Sequence, residues 1–233
     1  MLFRSVANSS ADLNMTVANV VQVAGGATAT FDLASNTTLS NGITMTGTGA
    51  ATIKINGTAD MTRLTIAGMT LTDSLTIGDT AATFSTGLFS VSGTVTNGST
   101  SAVTLTLSNQ TSSAPNVLSA NVSNGSGGAL SLSKSGTSTW LVSGTNTYSG
   151  TTAVSAGTLQ FSTPASLYNS QSSSWTSANI TVANGATLAF NVGGTNDFTP
   201  TQIGTLYANL SSGSLASGAL LGFDTSKIGR AHV

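Results

Sequence analysis

Apolar residues in this chain recur at every second position, in short runs bounded by Gly, Asn, Ser or Asp. In the run 103–107, for example, Val103, Leu105 and Leu107 alternate with threonines. This period of two is the pattern of a strand with one buried face, and the bounding residues favour turns. The same alternation occurs at Phe31/Leu33, Ile43/Met45, Ile53/Ile55, Leu64/Ile66, Met69/Leu71 and Leu75/Ile77. The chain is therefore predicted to be all-β, with many short strands.

The composition supports this prediction and excludes some functions. Only 6% of the 233 residues are charged, against about 25% in a typical soluble domain, and the net charge is −1. Glu is absent and Thr and Val are abundant, which disfavours long helices. Nucleic-acid binding needs a basic face, so no nucleic-acid partner is expected. No metal or cofactor is expected either.

Internal similarity points to a repeated unit. The segment VQVAGGATATFDL (21–33) aligns without gaps on ITVANGATLAFNV (180–192), and AVSAGTLQF (153–161) is a shorter relative. In this alignment Leu159 lies 29 residues before Leu188. The apolar positions coincide as well as the small residues, so we interpret the unit as strand, small-residue corner, strand.

Two architectures can reuse such a unit. A two-residue hairpin loop at Asn184–Gly185 would pair apolar Val182 with polar Thr187, so the apolar residues of the two strands would lie on opposite faces of the hairpin. A three-residue loop would bring them onto the same face. A hairpin at 154–159 would need Ala156 at positive φ, which alanine disfavours, and a solenoid corner is expected to make no such demand. The predicted fold is a parallel β-solenoid of about eight to eleven coils, with partner strands 20–30 residues apart. An antiparallel β-sandwich stays open as the alternative.

One segment resembles a known family. The stretch LSKSGTSTWLVSGTNTYSGTTAVSAGTL (132–159) closely resembles the autotransporter-associated β-strand repeat, also called the passenger-associated transport repeat. The family pattern reads roughly L-x-K-x-G-x-G-T-L-x-L-x-G-x-N-T-Y-x-G-x-T-x-V-x-A-G-T-L. The chain departs from it at Ser138, usually Gly, and at Trp140, usually Leu. The matching residues are Leu132, Lys134, Gly136, Thr139, Val142, Gly144, Asn146, Thr147, Tyr148, Gly150, Thr152, Val154, Ala156, Gly157, Thr158 and Leu159.

The resemblance implies a right-handed parallel β-helix passenger of a bacterial type V secretion protein, secreted or exposed on the cell surface. It implies a non-enzymatic stalk, residues 1–227, that assists passenger folding and translocation. Its partners would be neighbouring repeats and an outer-membrane barrel. Neither a barrel nor a signal peptide is recognised in the sequence, which looks like an internal piece of a longer protein. The alternatives are an adhesin that contacts polysaccharide or a host surface, and a β-helix glycan lyase or hydrolase.

Two patterns in the sequence resemble catalytic motifs, but neither predicts an active site. Asp73 and Asp79 flank one strand and could form a carboxylate pair, although aspartate also favours turns for its own hydrogen bonds. Ser131 and Lys134 match the Ser-x-x-Lys of serine β-lactamases, which requires a helical turn. In an alternating strand pattern the two side chains point to opposite faces. No catalytic residue is predicted.

The remaining candidates are two aromatic residues and the tail. Trp140 and Tyr148 could stack on sugars, but we predict a buried Trp140 and a Tyr148 packed beside a corner. The only histidine, His232, lies in the tail IGRAHV (228–233). Reverse translation of this tail, with Lys227 at the junction, resembles the start of a widely used short-read sequencing adapter. We therefore predict a non-native tail; its codons in an uninterrupted genomic locus would refute this.

Overall fold

The computed structural model describes residues 2–4, 15–17, 21–33, 36–57, 63–78, 88–109, 114–211 and 213–227. These residues form 22 short strands and a single α-helix. In chain order the strands are β1 (Leu2–Arg4), β2 (Met15–Val17), β3 (Val21–Ala24), β4 (Thr28–Leu33), β5 (Thr37–Leu39), β6 (Ile43–Thr46), β7 (Ala51–Gly57), β8 (Arg63–Ile66), β9 (Met69–Leu71), β10 (Leu75–Ile77), β11 (Leu88–Val91), β12 (Thr94–Asn97), β13 (Val103–Leu107), β14 (Asn116–Leu118), β15 (Asn121–Ser123), β16 (Leu130–Lys134), β17 (Thr139–Val142), β18 (Thr152–Val154), β19 (Thr158–Phe161), β20 (Ile180–Val182), β21 (Thr187–Asn191) and β22 (Leu220–Asp224).

The strands wind into a parallel β-solenoid with three faces. The first sheet has the order β1-β4-β7-β10-β13-β16-β18-β20, the second β2-β5-β8-β11-β14-β17-β19-β21-β22, and the third β15-β12-β9-β6-β3. Within the described ranges every pairing of these strands is parallel. Leu75 pairs with Ala51 on one side and Leu105 on the other, at the predicted spacing of one coil. The solenoid prediction is confirmed, and the antiparallel sandwich is not observed.

The number of coils needs a correction. Five turns are complete in the described part of the chain, because each triplet from β1–β3 to β13–β15 contributes one strand to every face. The three following pairs, β16/β17, β18/β19 and β20/β21, contribute only to the first and second faces. The prediction of eight to eleven coils is thus too high, because only five described turns have all three faces. The total reaches eight only when the three two-sided turns are added. Loops and short helices replace the third face there.

The alternation in the sequence determines which side chains enter the solenoid. Leu75, Leu105 and Leu132 occupy equivalent positions on neighbouring coils and are all buried, while the threonines between the apolar residues of β13 are half-exposed. Full burial of each leucine contributes about 1.5–3 kcal/mol relative to exposure. Most of the buried apolar residues from Val21 to Leu210 form one core cluster.

The corners between strands depend on glycine. Gly26, Gly157 and Gly185 all lie in the left-handed region, with φ of 74°, 64° and 73°. The expectation that a solenoid corner does not require positive φ at Ala156 is confirmed. The demand falls on the glycine alone, and Ala156 keeps negative φ, because one left-handed residue is enough to turn the chain here.

The internal repeat describes a corner and not a whole coil. Residues 21–33 pass from the third face to the first, whereas 180–192 pass from the first face to the second. The two aligned segments therefore share local geometry at different places on the solenoid. The shorter relative differs in this respect, since Leu159 pairs directly with Leu188 on adjacent coils.

Helical segments near the two-sided turns were not predicted. Helix α1 (Pro200–Leu210) begins with a capping box, in which Gln202 N–H donates to Thr199 Oγ1 and the Gln202 side chain accepts from Thr199 N–H. Proline in the first turn and the Thr-x-x-Gln spacing are recognisable start signals. Buried Leu206 and Leu210 anchor the helix to the core. No helix among the described residues is long and apolar enough to span a bilayer.

Candidate functional site

The segment 132–161 runs from the end of β16 through β17 and β18 to the end of β19. Its large apolar side chains face one interior, as predicted; they are Trp140, Val142, Val154 and Leu159, all at most 1% exposed. The Trp140 ring stacks on Phe89, with ring centroids 6.1 Å apart. Its indole N–H donates to the Ser108 carbonyl oxygen. Trp140 is therefore a core residue that also bridges to the preceding coil.

Lys134 is buried completely, which is unusual for lysine. Its Nζ donates to the carbonyl oxygens of Ser135, Gly136 and Ala156, at 2.6, 2.7 and 3.1 Å. The first two carbonyls belong to its own corner and the third belongs to the corner of the next coil. Burial lowers the pKa of the Lys134 ammonium to about 8. Lys134 thus joins two stacked corners through their backbone.

Gly157 leaves the space that this lysine occupies. A Cβ at position 157 would lie 2.8 Å from Lys134 Nζ and 2.6 Å from the Ser138 carbonyl oxygen. Real Cβ atoms essentially never approach so closely, so a side chain here would displace the ammonium or the corner. The lysine and the glycine are 23 residues apart in the repeat, and the stacking of coils brings them into contact.

Asn146 links three consecutive coils from a buried position. Its Oδ1 accepts a hydrogen bond from Val122 N–H at 2.8 Å, on the preceding coil. Its Nδ2 donates to the Ser166 carbonyl oxygen at 2.7 Å, on the following coil. The amide supplies both a donor and an acceptor, so it satisfies backbone groups above and below its own loop.

Tyr148 and Thr152 form a buried hydroxyl network with Tyr168 of the next coil. Tyr148 and Thr152 share a hydrogen bond of 2.7 Å, and Thr152 Oγ1 lies 3.1 Å from the Tyr168 hydroxyl. The tyrosine ring centroids are 4.7 Å apart. Burial raises the pKa of Tyr148 above its usual range and that of Tyr168 to about 12, because desolvation disfavours phenolate. Both hydroxyls therefore remain neutral structural groups.

The Ser-x-x-Lys motif is not assembled into a dyad. Lys134 points into the core, and Ser131 lies on the opposite, half-exposed face of β16. Ser131 Oγ accepts a hydrogen bond from Thr151 N–H at 3.1 Å. The predicted separation of the two side chains is confirmed, and the motif residues act as links between coils.

Of the possible carboxylate pair Asp73 and Asp79, only Asp73 lies among the described residues. Asp73 accepts hydrogen bonds from the N–H groups of Gly49, at 2.7 Å, and Ser74, at 2.6 Å. These two bonds, that of Gly49 first, lower the pKa of the Asp73 carboxyl. Asp73 therefore serves a corner, as a turn aspartate does. Its proposed partner Asp79 lies outside the described residues, as do His232 and the tail 228–233.

Several structural residues were missed by the sequence analysis. Asn116 Oδ1 accepts from Phe89 N–H at 2.8 Å, and Asn97 Nδ2 donates to the Gly128 carbonyl oxygen at 2.8 Å. Both side chains are buried. Asn97 ends β12 and Asn116 begins β14, and an asparagine at the end of a strand is normally interpreted as a turn residue. The sequence pattern therefore did not predict these hydrogen bonds. Within the described ranges, no group of three or more His, Cys, Asp or Glu side chains is arranged to hold a metal ion.

Comparison with known proteins agrees with this geometry at one segment. The family model described as passenger-associated-transport-repeat matches residues 132–161. The search of curated proteins finds no match, and neither does the search of solved structures. Lys134, Asn146 and Tyr148, which belong to the repeat pattern, contact the following coil, and Gly157 of the same pattern leaves space for Lys134. Residues 132–161 therefore match the passenger-associated transport repeat, and they lie on a parallel β-solenoid.

Proposed function

We propose that this chain is a stalk segment of an autotransporter passenger, secreted or displayed on a bacterial cell surface. The observation that carries the proposal is the transport repeat at 132–161, whose strands pair in parallel with neighbouring coils on the first and second faces. The repeat supplies hydrogen bonds between coils, through Lys134 and Asn146. The proposed partners are neighbouring passenger repeats and an outer-membrane barrel of the same protein.

The solenoid also offers a physical reason for assisted translocation. Each coil contacts mainly its two neighbours, so a chain that emerges progressively can fold by adding one coil at a time. One coil adds six buried apolar residues, which are Val103, Leu105, Leu107, Leu118, Ala120 and Val122. At about 1.5–3 kcal/mol for each large side chain, such a coil gains roughly 10 kcal/mol before the cost of ordering the chain. We propose that this gain opposes backward movement.

The test is surface display of the full chain fused to an outer-membrane translocator barrel in a Gram-negative bacterium. Protease added to intact cells reports the exposed chain. Leu132→Asp places a charge in the core of β16, whereas the matched change Ser133→Asp lies on the half-exposed face of the same strand. We expect display of the parent and of Ser133→Asp, and a loss of display with Leu132→Asp.

Two results would contradict the proposal in different ways. A parent chain that is made but never reaches the surface would argue against a passenger. Equal display of parent and Leu132→Asp, with Leu132→Asp shown to be unfolded, would argue that folding contributes nothing to translocation.

A further inference from the structure

Where the third face ends, the solenoid surface contains a groove. The last strand of that face is β15, and the loops 143–151 and 162–179 cover the following turns. Between these loops lies a groove of about 270 Å³. Its lining consists of Thr147, Tyr148, Ser149, Tyr168, Asn169, Gln171, Ser174 and Asn179. Its volume is close to the lower limit of small-molecule pockets, about 300 Å³.

One wall of the groove is a strained turn. Tyr168, Asn169 and Ser170 have φ of 51°, 50° and 62°, so three consecutive residues with side chains adopt the left-handed conformation. Glycine usually occupies positions with this backbone conformation. A residue with a side chain costs roughly 1–3 kcal/mol at each such position. Strain of this kind persists only where surrounding contacts impose it, and it occurs preferentially at ligand sites.

The surrounding contacts hold this turn in place before any ligand arrives. The Tyr168 hydroxyl lies 2.9 Å from the Gly150 carbonyl oxygen and 3.1 Å from that of Asn179. The Trp175 indole N–H donates to the Leu167 carbonyl oxygen at 3.1 Å. Both rings are buried, so the turn rests on the core and the groove is preformed. A preformed site avoids the ordering cost that a flexible loop would add to binding.

The chemistry of the groove is neutral and rich in hydrogen-bonding groups. Its lining provides three amides, from Asn169, Gln171 and Asn179, together with the hydroxyls of Thr147 and Ser149. No charged residue is among its lining residues. In the described part of the chain, the side chains of Asn169, Gln171 and Thr147 are exposed and have no hydrogen-bond partner. An amide both donates and accepts, which suits a sugar hydroxyl that does the same.

Other contacts show that part of this lining is already oriented. Ser149 Oγ accepts from Asn124 Nδ2 at 2.8 Å, and Asn179 Nδ2 donates to the Ser174 carbonyl oxygen at 3.0 Å. The rings of Tyr148 and Tyr168 complete the lining, with their hydroxyls engaged inside the protein. Both tyrosines are at most 4% exposed, so the groups available to a ligand are the oriented polar side chains.

We propose that this groove binds one end of a neutral hexose oligosaccharide. The amides and hydroxyls would exchange hydrogen bonds with the sugar hydroxyls. An anionic saccharide is disfavoured, because no cation in the lining would compensate its desolvation. The proposal is independent of the stalk function, since it concerns a surface outside the strand ladders.

The experiment is titration of the isotope-labelled full chain with maltotriose, cellotriose, mannotriose and β-1,4-galactotriose, followed by NMR of side-chain amides. Trigalacturonate serves as the anionic comparison. Two variants remove groove amides: Asn169→Gly, which suits the left-handed backbone, and Gln171→Ala. Gln22→Ala is the matched control, because Gln22 is an exposed glutamine on β3, outside the groove.

We expect at least one neutral trisaccharide to shift the amide signals of Asn169, Gln171 and Asn179 in a saturable way. The dissociation constant should rise about tenfold in Asn169→Gly and in Gln171→Ala, as loss of a hydrogen-bonding group implies, and stay unchanged in Gln22→Ala. No response to any of the four neutral sugars would overturn the proposal. Shifts confined to residues outside the groove, or tighter binding of trigalacturonate, would overturn it as well.

Discussion

The buried Lys134 makes a specific prediction about stability and pH. The pKa of its ammonium is about 8 in the folded chain, because of burial, against 10.5 for an unperturbed lysine. Below pH 8 both folded and unfolded chains carry the proton, so the full cost of burying the charge is present. As the pH rises from 8 towards 10.5, the folded chain releases its proton first, and the folded state gains stability relative to the unfolded state.

The magnitude follows from the size of the shift. A pKa difference of one unit corresponds to about 1.36 kcal/mol. The difference between 10.5 and about 8 therefore gives a total of about 3 kcal/mol, of which about 2.5 kcal/mol is gained between about pH 7 and pH 10. Above about pH 10 the buried Tyr148 and Tyr168, whose pKa values are raised, oppose this gain, because tyrosines of the unfolded chain lose protons first.

The assay is urea denaturation between about pH 7 and pH 10, with Lys134→Met as the variant and Lys54→Met as the matched control. Lys54 lies on β7 at a half-exposed position. We expect the parent and Lys54→Met to gain stability with pH, and Lys134→Met to lack this gain. At high pH, Lys134→Met should be less stable than the parent, since the backbone carbonyl groups of Ser135, Gly136 and Ala156 lose their side-chain donor. An identical pH dependence in parent and Lys134→Met would refute the reasoning.

Three further predictions concern packing and association. Trp140→Ala should lower the free energy of unfolding by roughly 3–5 kcal/mol, because a large buried side chain is lost. Thr139→Ala, at a half-exposed position of the same strand, should stay within about 0.5 kcal/mol of the parent chain. Identical denaturation curves for Trp140→Ala and the parent would place Trp140 at the surface. Gly157→Ala should lower the free energy of unfolding by at least about 1 kcal/mol more than Gly185→Ala. Both glycines have positive φ, but only position 157 lacks space for a Cβ. Equal destabilisation of the two variants in thermal denaturation would contradict this. Among the described strands, β22 pairs on one side only, and Leu220 is 55% exposed. We therefore expect concentration-dependent self-association of the isolated chain, reduced in Leu220→Lys, and monomeric sedimentation at high concentration would contradict this.

The sequence alone determined the strand pattern and the inward face of each strand. Alternation of apolar residues with threonine places Leu105 inside and Thr104 half-exposed, because successive side chains of a strand point to opposite faces. The repeat alignment also anticipated the pairing of Leu159 with Leu188, since equivalent corners on neighbouring coils require the same small residues. The transport repeat was recognisable from its residues because the same small and apolar residues recur at the same positions of its strands and corners.

Only the tertiary structure decided which face each corner joins, how many turns are complete and what the buried polar residues contact. The carbonyl partners of Lys134 and the bridge made by Asn146 lie on coils that are about 20 residues distant along the chain. The groove beside Tyr168 likewise exists only because two loops from different turns lie side by side. Hydrogen bonds between coils depend on the register of stacking, and a one-dimensional pattern of polar and apolar residues does not contain that register.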